Sequence, residues 1–237
     1  MLSEMPLEWR SRVAEVIGLR GQWETVTKLQ DFLVSVPEDS IVPSRDKWFA
    51  CLEDFEPRDT KVIILGQDPY PTKADAVGVS FAVAKGAQIP RSLVNVMKVA
   101  RWSLDQEFAK ERQWPMDRTL LNWRRQGVLM LNVRLTTEVG KRNAHARKGW
   151  EAITRAIMEV ACSESRHVVS LLWGNDAHKM AEDLRSWGSE LLQSSHPSPL
   201  GWTKSGSHGA FRESLCFYHV NERRKMLGME RIAWEAE

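Results

Sequence analysis

Four short apolar runs, each broken off by a glycine or a polar residue, constrain this chain more than any other feature. The clearest lies within KVIILGQDPY, Lys61 to Tyr70. Val62, Ile63, Ile64 and Leu65 leave no polar face, which predicts a strand covered on both sides, as in a parallel sheet between helices. Gly66 ends the run, and the Asp-Pro pair that follows holds Asp68 out of the helical conformation. The other runs are VLMLNV from 128, HVVSLLWG from 167 and ELLQSS from 190.

Helical patterns fill the spaces between these runs. Val26, Leu29, Phe32 and Leu33 recur at helical spacing over 24–36, and Pro37 ends that pattern. A short helix over about 46–55 leads into the first strand. Pro90, Arg91 and Ser92 open a helix that continues to about Ala109, with Leu93, Val96, Met97 and Ala100 on one face. Further helices are expected over 118–125, with Asp117 as N-cap, and over 149–161, about 174–188 and about 211–226. Strands alternating with helices predict an α/β fold, with a central four-stranded parallel sheet in a three-layer α/β/α arrangement. A chain of 237 residues suits one domain, here spanning 1–237 with a helical N-terminal segment to about residue 40.

Composition narrows the class of function. At 43% hydrophobic and 27% charged residues, the chain reads as globular rather than disordered or membrane-embedded. Cys51, Cys162 and Cys216 are far apart, odd in number and without metal-ligand spacing, so neither a disulfide framework nor a zinc site is expected. No charged-then-apolar leader opens the sequence, and a reducing cytoplasm is the expected location. A formal net charge of +2 does not by itself announce nucleic acid. The clusters Lys141–Arg142, Arg147–Lys148 and Arg223–Lys225 matter more, as phosphate sites or as solvated helix faces. Of the eleven tryptophans, Trp123 and Trp150 fall within helical patterns and suit core packing better than base stacking.

Three of the four strands finish on or beside a side chain suited to chemistry: Asp68, Asn132 and His196. The carboxyl ends of parallel strands share one edge of a sheet, where open α/β folds place their ligands. A carboxylate and an imidazole meeting there can serve acid/base hydrolysis, while an amide reads a polar edge and Tyr70 or Phe81 stacks on a ring. Each residue also has a structural use: Asn132 satisfying backbone, His196 capping a turn, Phe81 filling the core.

At these positions the chain resembles the uracil-DNA glycosylase family, in the type whose first motif is GQDPYH. That motif stands here as GQDPYP at 66–71, followed by GVSF at 78–81, VLMLN at 128–132 and an intact HPSPL at 196–200. IPRSL at 89–93, GWE at 149–151 and LLWG at 171–174 add to the match, in the family's order from about Pro43 onward. The resemblance implies the family's fold and its reaction, hydrolysis of the bond joining uracil to deoxyribose as the first step of base-excision repair, acting on single- and double-stranded DNA as a monomer. It implies a base flipped out of the stack into a closed pocket. Asp68 would stabilise the cation-like sugar and orient water, and neutral His196 would donate to uracil's oxygen. Gln67, Tyr70, Phe81 and Asn132 would contact the base, with Tyr70 against carbon 5 to exclude thymine. Pro43, Ser44, Ser92, Ser198 and Leu200 would contact DNA. No metal or other cofactor is implied.

The departures from the family's pattern are specific. Pro71 and Val77 stand where histidines are usual, and the chain after Leu200 reads GWTKSGSHGAFR in place of a shorter loop with arginine and phenylalanine. Altered affinity for DNA, or for a protein mimic of DNA, is the expected consequence. Two rival activities remain at this point: a protein that traps uracil-DNA with weak turnover, and a hydrolase of free nucleotides on the same sheet.

Overall fold

The computed structural model describes residues 1–102 and 117–235. Its centre is the predicted sheet. Strand β2 (Val62–Gly66) pairs in parallel with β3 (Val128–Asn132) on one side and with β5 (Val169–Trp173) on the other, and β6 (Glu190–Ser194) lies outside β5. Every residue of β2, β3 and β5 is buried, which is why their sequences show no alternation. The edge strand β6 is only partly covered and carries Gln193 and Ser194. In register, Gly66 lies opposite Asn132 and Trp173 opposite Ser194, so the carboxyl ends form one continuous edge.

Helices α1 (Leu7–Leu19) and α2 (Trp23–Ser35) pack with α5 (Trp150–Glu164), while α3 (Arg91–Trp102) packs with α8 (Cys216–Met226). The result is the expected three-layer α/β/α arrangement. A two-stranded antiparallel ribbon, β1 (Ile41–Val42) with β4 (Thr137–Glu138), lies outside the main sheet. Trp9, Trp123, Trp150, Trp173 and Trp234 are fully buried and serve as core residues. No helix among the described residues is long and apolar enough to cross a membrane.

Several boundaries differ from expectation for local reasons. Over 46–55 there is no α-helix but two 3₁₀ turns, Arg45–Lys47 and Ala50–Leu52. Five consecutive residues there, Trp48 to Leu52, are buried, a pattern that a helix with one solvent face cannot satisfy. Helix α4 is shorter than expected, Leu121–Arg125, because the Asp117 carboxylate accepts the Thr119 and Leu121 N–H groups at 2.8 and 3.0 Å and caps from further upstream. The helix expected over 174–188 is split into α6 (Asn175–His178) and α7 (Ala181–Ser186). The last helix begins at Cys216, after a separate 3₁₀ turn at Phe211–Glu213. The stretch of the α3 pattern from 103 to about 109 lies outside the described residues.

Candidate active site

A cleft of about 530 Å³ opens at the carboxyl edge of the sheet. Asp68 and Asn132 reach it from the ends of β2 and β3, and His196 reaches it from just beyond β6. Gln67, Tyr70, Phe81, Ser92, Ser198 and Leu200 also line it. Of the residues expected to contact DNA, Pro43 and Ser44 lie outside this cleft. Pro43 is buried and its carbonyl accepts the Trp48 indole N–H at 3.1 Å, so only Ser44 of that pair faces solvent.

Two glycines show how tightly the pocket is built. A Cβ at Gly66 would lie 2.1 Å from Asn132 Oδ1 and 2.8 Å from Ser80 Cβ, so the absence of a side chain lets the Asn132 amide lie against the neighbouring strand. Gly174 has φ +86, and a Cβ there would meet His196 Cβ at 2.9 Å. Asn132 itself is buried, 6% exposed, with no side-chain hydrogen bond among the described residues. An amide that lines the cleft without a protein partner is free to pair with the polar edge of a ligand. Phe81 adopts φ +63, a conformation costing roughly 1–3 kcal/mol in a non-glycine residue. Its ring lies edge-on to Trp173, centroids 5.3 Å apart, and tilted by 38° toward His196 at 6.1 Å. The Tyr70 hydroxyl reaches toward the Phe81 carbonyl at 3.4 Å, and burial raises its pKa, so it remains a neutral phenol.

The two titratable groups are moved in opposite directions. Burial raises Asp68 above the ordinary carboxylate value, opposed by the Asn143 backbone N–H that it accepts and by the charges of Arg134 and Arg142, with Asp176 adding to the rise. Burial lowers His196, opposed by Asp176 and aided by Arg142. The Ser198 backbone N–H donates to His196 Nδ1 at 3.0 Å. An imidazole that accepts at Nδ1 while neutral carries its proton on Nε2, so the ring offers one N–H donor. The loop bearing it is tied to α3 by the Asn95 amide, which donates to the Pro197 carbonyl at 2.8 Å.

The arrangement therefore offers a carboxylate, a neutral imidazole donor, an unoccupied amide and an aromatic face within one cleft. All three cysteines are buried free thiols pushed up to about 12 and contribute nothing to it. Among the described residues no group of three or more metal-capable side chains is present.

The chain as a whole has relatives among known proteins. The model of the Uracil DNA glycosylase superfamily matches residues 53–218. The chain belongs to the uracil-DNA glycosylase superfamily. Among similar proteins, the uracil-DNA glycosylase of Chlamydia abortus is 33% identical over 239 residues, covering 99% of this chain and 96% of that protein. That of Exiguobacterium sibiricum is 37% identical over 200 residues, covering 83% and 86%. The crystal structure of mimivirus uracil-DNA glycosylase superposes with a TM-score of 0.84 at 26% identity, covering all of this chain and 90% of that one. A mimivirus variant of similar fold, TM-score 0.84, is in complex with UGI.

Two supports of this candidate site carry little signal in the sequence. Asn143, whose N–H holds Asp68, lies 75 residues away, and its only local signal is an Asn able to adopt φ +58. Arg142 was visible as half of a basic pair, without any indication that it borders the cleft.

Proposed function

We propose that this chain hydrolyses the N-glycosidic bond of deoxyuridine in DNA, leaving an abasic site, with Asp68 and His196 as its catalytic residues. The observation that carries this is the pinned His196 ring, which accepts at Nδ1 from the Ser198 N–H and lines the cleft together with Asp68 and Asn132. Breaking the bond leaves the sugar cation-like and sends the bonding electron pair to uracil. Ionised Asp68 stabilises the sugar, orients the water that adds to C1′ and takes the proton that water loses, which ends on the released uracil anion, while the His196 Nε2–H stabilises the developing negative charge on uracil's oxygen. A neutral donor suits that task, since burial resists protonation of the ring.

Base recognition follows from the same cleft. The uracil is flipped out of the stack, Phe81 stacks on its ring, and Asn132 pairs with its polar edge in preference to cytosine. Tyr70 occupies the space that a thymine methyl would need, and Gln67 adds a backbone or amide contact. Ser44, Ser92 and Ser198 grip phosphates, and Leu200, 91% exposed at a loop tip, fills the vacated stack. Residues 1–237 act as one domain and as a monomer in the cytoplasm, on single- and double-stranded DNA alike. Support for one domain comes from Trp9 and Val13 of α1, which share a core with the sheet. A protein mimic of DNA is a further partner, supported by the UGI complex of the mimivirus relative.

The test is a labelled oligonucleotide with one uracil, incubated with the protein and a chelator, then treated with alkali to cleave abasic sites. Wild type should cleave at uracil and not at cytosine or thymine. Asp68→Asn should lose about 10³-fold and His196→Ala about 10²- to 10³-fold in kcat. Tight retention of the uracil strand without cleavage would replace excision by trapping. Cleavage of free deoxyuridine as fast as DNA would indicate a nucleoside hydrolase.

A further inference from the structure

A second hollow of about 510 Å³ adjoins the catalytic cleft, walled by α6 and by the loop after Leu200. The two hollows share a divide that includes Gln67, His196, Ser198 and Arg142. Arg142 is the cation on that divide. It is exposed, and among the described residues no carboxylate lies within ion-pair distance of it. Its neighbours are otherwise engaged: Arg134 pairs with Glu151 at 3.2 Å, and Asp176 in the second hollow is held by Lys179 at 2.5 Å. Arg142 also immediately precedes Asn143, whose N–H holds the Asp68 carboxylate.

We propose that Arg142 binds a backbone phosphate of the DNA strand beside the nucleotide being excised. The inference rests on the excision activity proposed above. With a base against Asn132 and its sugar beside Asp68, the strand must leave the cleft over its rim, and phosphates are the anions it carries there. A guanidinium offers a planar fork of donors to a phosphate, and one not already neutralised by a carboxylate keeps its full attraction. Arg142 contributes in a second way, because its charge favours ionised Asp68 and neutral His196. The other groups acting on Asp68 are Arg134, Asp176 and the Asn143 N–H, and on His196 they are Asp176 and the Ser198 N–H. A phosphate captured by Arg142 is thus anchored next to the backbone that fixes the reacting carboxylate.

The test measures binding by fluorescence anisotropy to an oligonucleotide bearing an uncleavable abasic-site analogue, for wild type, Arg142→Ala and Arg142→Lys. Between about 50 and 200 mM salt, Arg142→Ala should flatten the slope of log affinity against log salt by about 0.9 on duplex and about 0.7 on single strands, one phosphate's worth. Affinity at moderate salt should fall about five- to tenfold, and Arg142→Lys should keep the slope. Inhibition by free uracil should be unchanged in Arg142→Ala, because that ligand has no phosphate, and the acid limb of the pH–rate profile should move to higher pH. An unaltered salt slope would overturn the proposal, as would a loss of uracil affinity parallel to the loss of DNA affinity. Absence of uracil excision by wild type, with the slope change still present, would count against the excision activity and leave the phosphate contact standing.

Discussion

The base pocket and the loop that follows it, 196–211, are adjacent yet built by different means. The pocket is set by sheet register: Gly66 against Asn132, one strand from the next, with every residue of β2 and β3 buried. The loop has no such frame. Leu200 is almost fully exposed, and residues 203–209 are all exposed. What holds the loop is a handful of hydrogen bonds at its base and a few aromatic contacts, Trp202 lying 5.7 Å from Trp102 and 6.1 Å from Phe211. On the proposed function, chemistry and base choice rest on the sheet-framed part, and insertion into the DNA stack rests on the exposed loop.

The pocket side of this contrast breaks most sharply at Gly66. In Gly66→Ala the new methyl must displace Asn132 or Ser80, since neither 2.1 nor 2.8 Å is a tolerable contact. Overpacking of this kind costs about 1–3 kcal/mol, a drop in Tm of several degrees that leaves the chain folded. The expected loss in kcat/KM on uracil-DNA is about 10²-fold or more, with DNA affinity nearly unchanged, measured by the oligonucleotide assay beside anisotropy. Equal losses in both quantities would mean that the pocket and the loop are not separable.

A pH profile sharpens the pocket further. Asp68 must be ionised, and its pKa is raised from 3.8, so its active form grows as pH rises through a value above 3.8. His196 must be neutral, and its pKa is lowered from 6.5, so its active form also grows with pH, through a value below 6.5. Both steps act in the same direction. The rate kcat/KM should climb between these two limits by about tenfold or more per pH unit at the foot and then stay level above 6.5. An acid limb centred above 6.5 that persists in Asp68→Asn would contradict the neutral-imidazole role.

How much of this was legible in the sequence follows the same division. The sheet could be read because burial on both faces writes itself as an uninterrupted apolar run, and the polar residue ending each run marks the edge. Asp68, Asn132 and His196 were found that way, and the resemblance at HPSPL and GQDPY named their neighbours. The segment from Trp48 to Leu52 was misread because contiguous burial in 3₁₀ turns has the same apolar content as a short helix. The Asn143 support has only the faint signal of an Asn suited to positive φ, since the backbone N–H that does the holding carries no side-chain signature. The order of strands, with β2 central, also depends on which helix crosses which face, and no single strand's pattern encodes it.

The loop side turns on Ser195, one residue before His196. Its hydroxyl donates to the Gly201 carbonyl at 2.7 Å and accepts the Phe211 N–H at 2.8 Å, while its own N–H donates to the Gly209 carbonyl at 3.0 Å. One side chain thus closes the two limbs of the loop onto each other. Removing the hydroxyl in Ser195→Ala leaves the Phe211 N–H and the Gly201 carbonyl without this partner but keeps the backbone bond to Gly209. The loop's ordering then has to be completed on binding, at about 1 kcal/mol, or roughly a fivefold loss of affinity. A loop that inserts into a duplex matters less where there is no stack to enter. Ser195→Ala should therefore weaken duplex binding about fivefold and single-strand binding much less, with kcat retained, and Leu200→Ala should show the same strand preference with a loss of similar size. Comparable losses on both substrates, or a fall in kcat equal to that of KM, would show that Ser195 shapes the His196 pocket instead, and that the rigid region extends through the base of the loop.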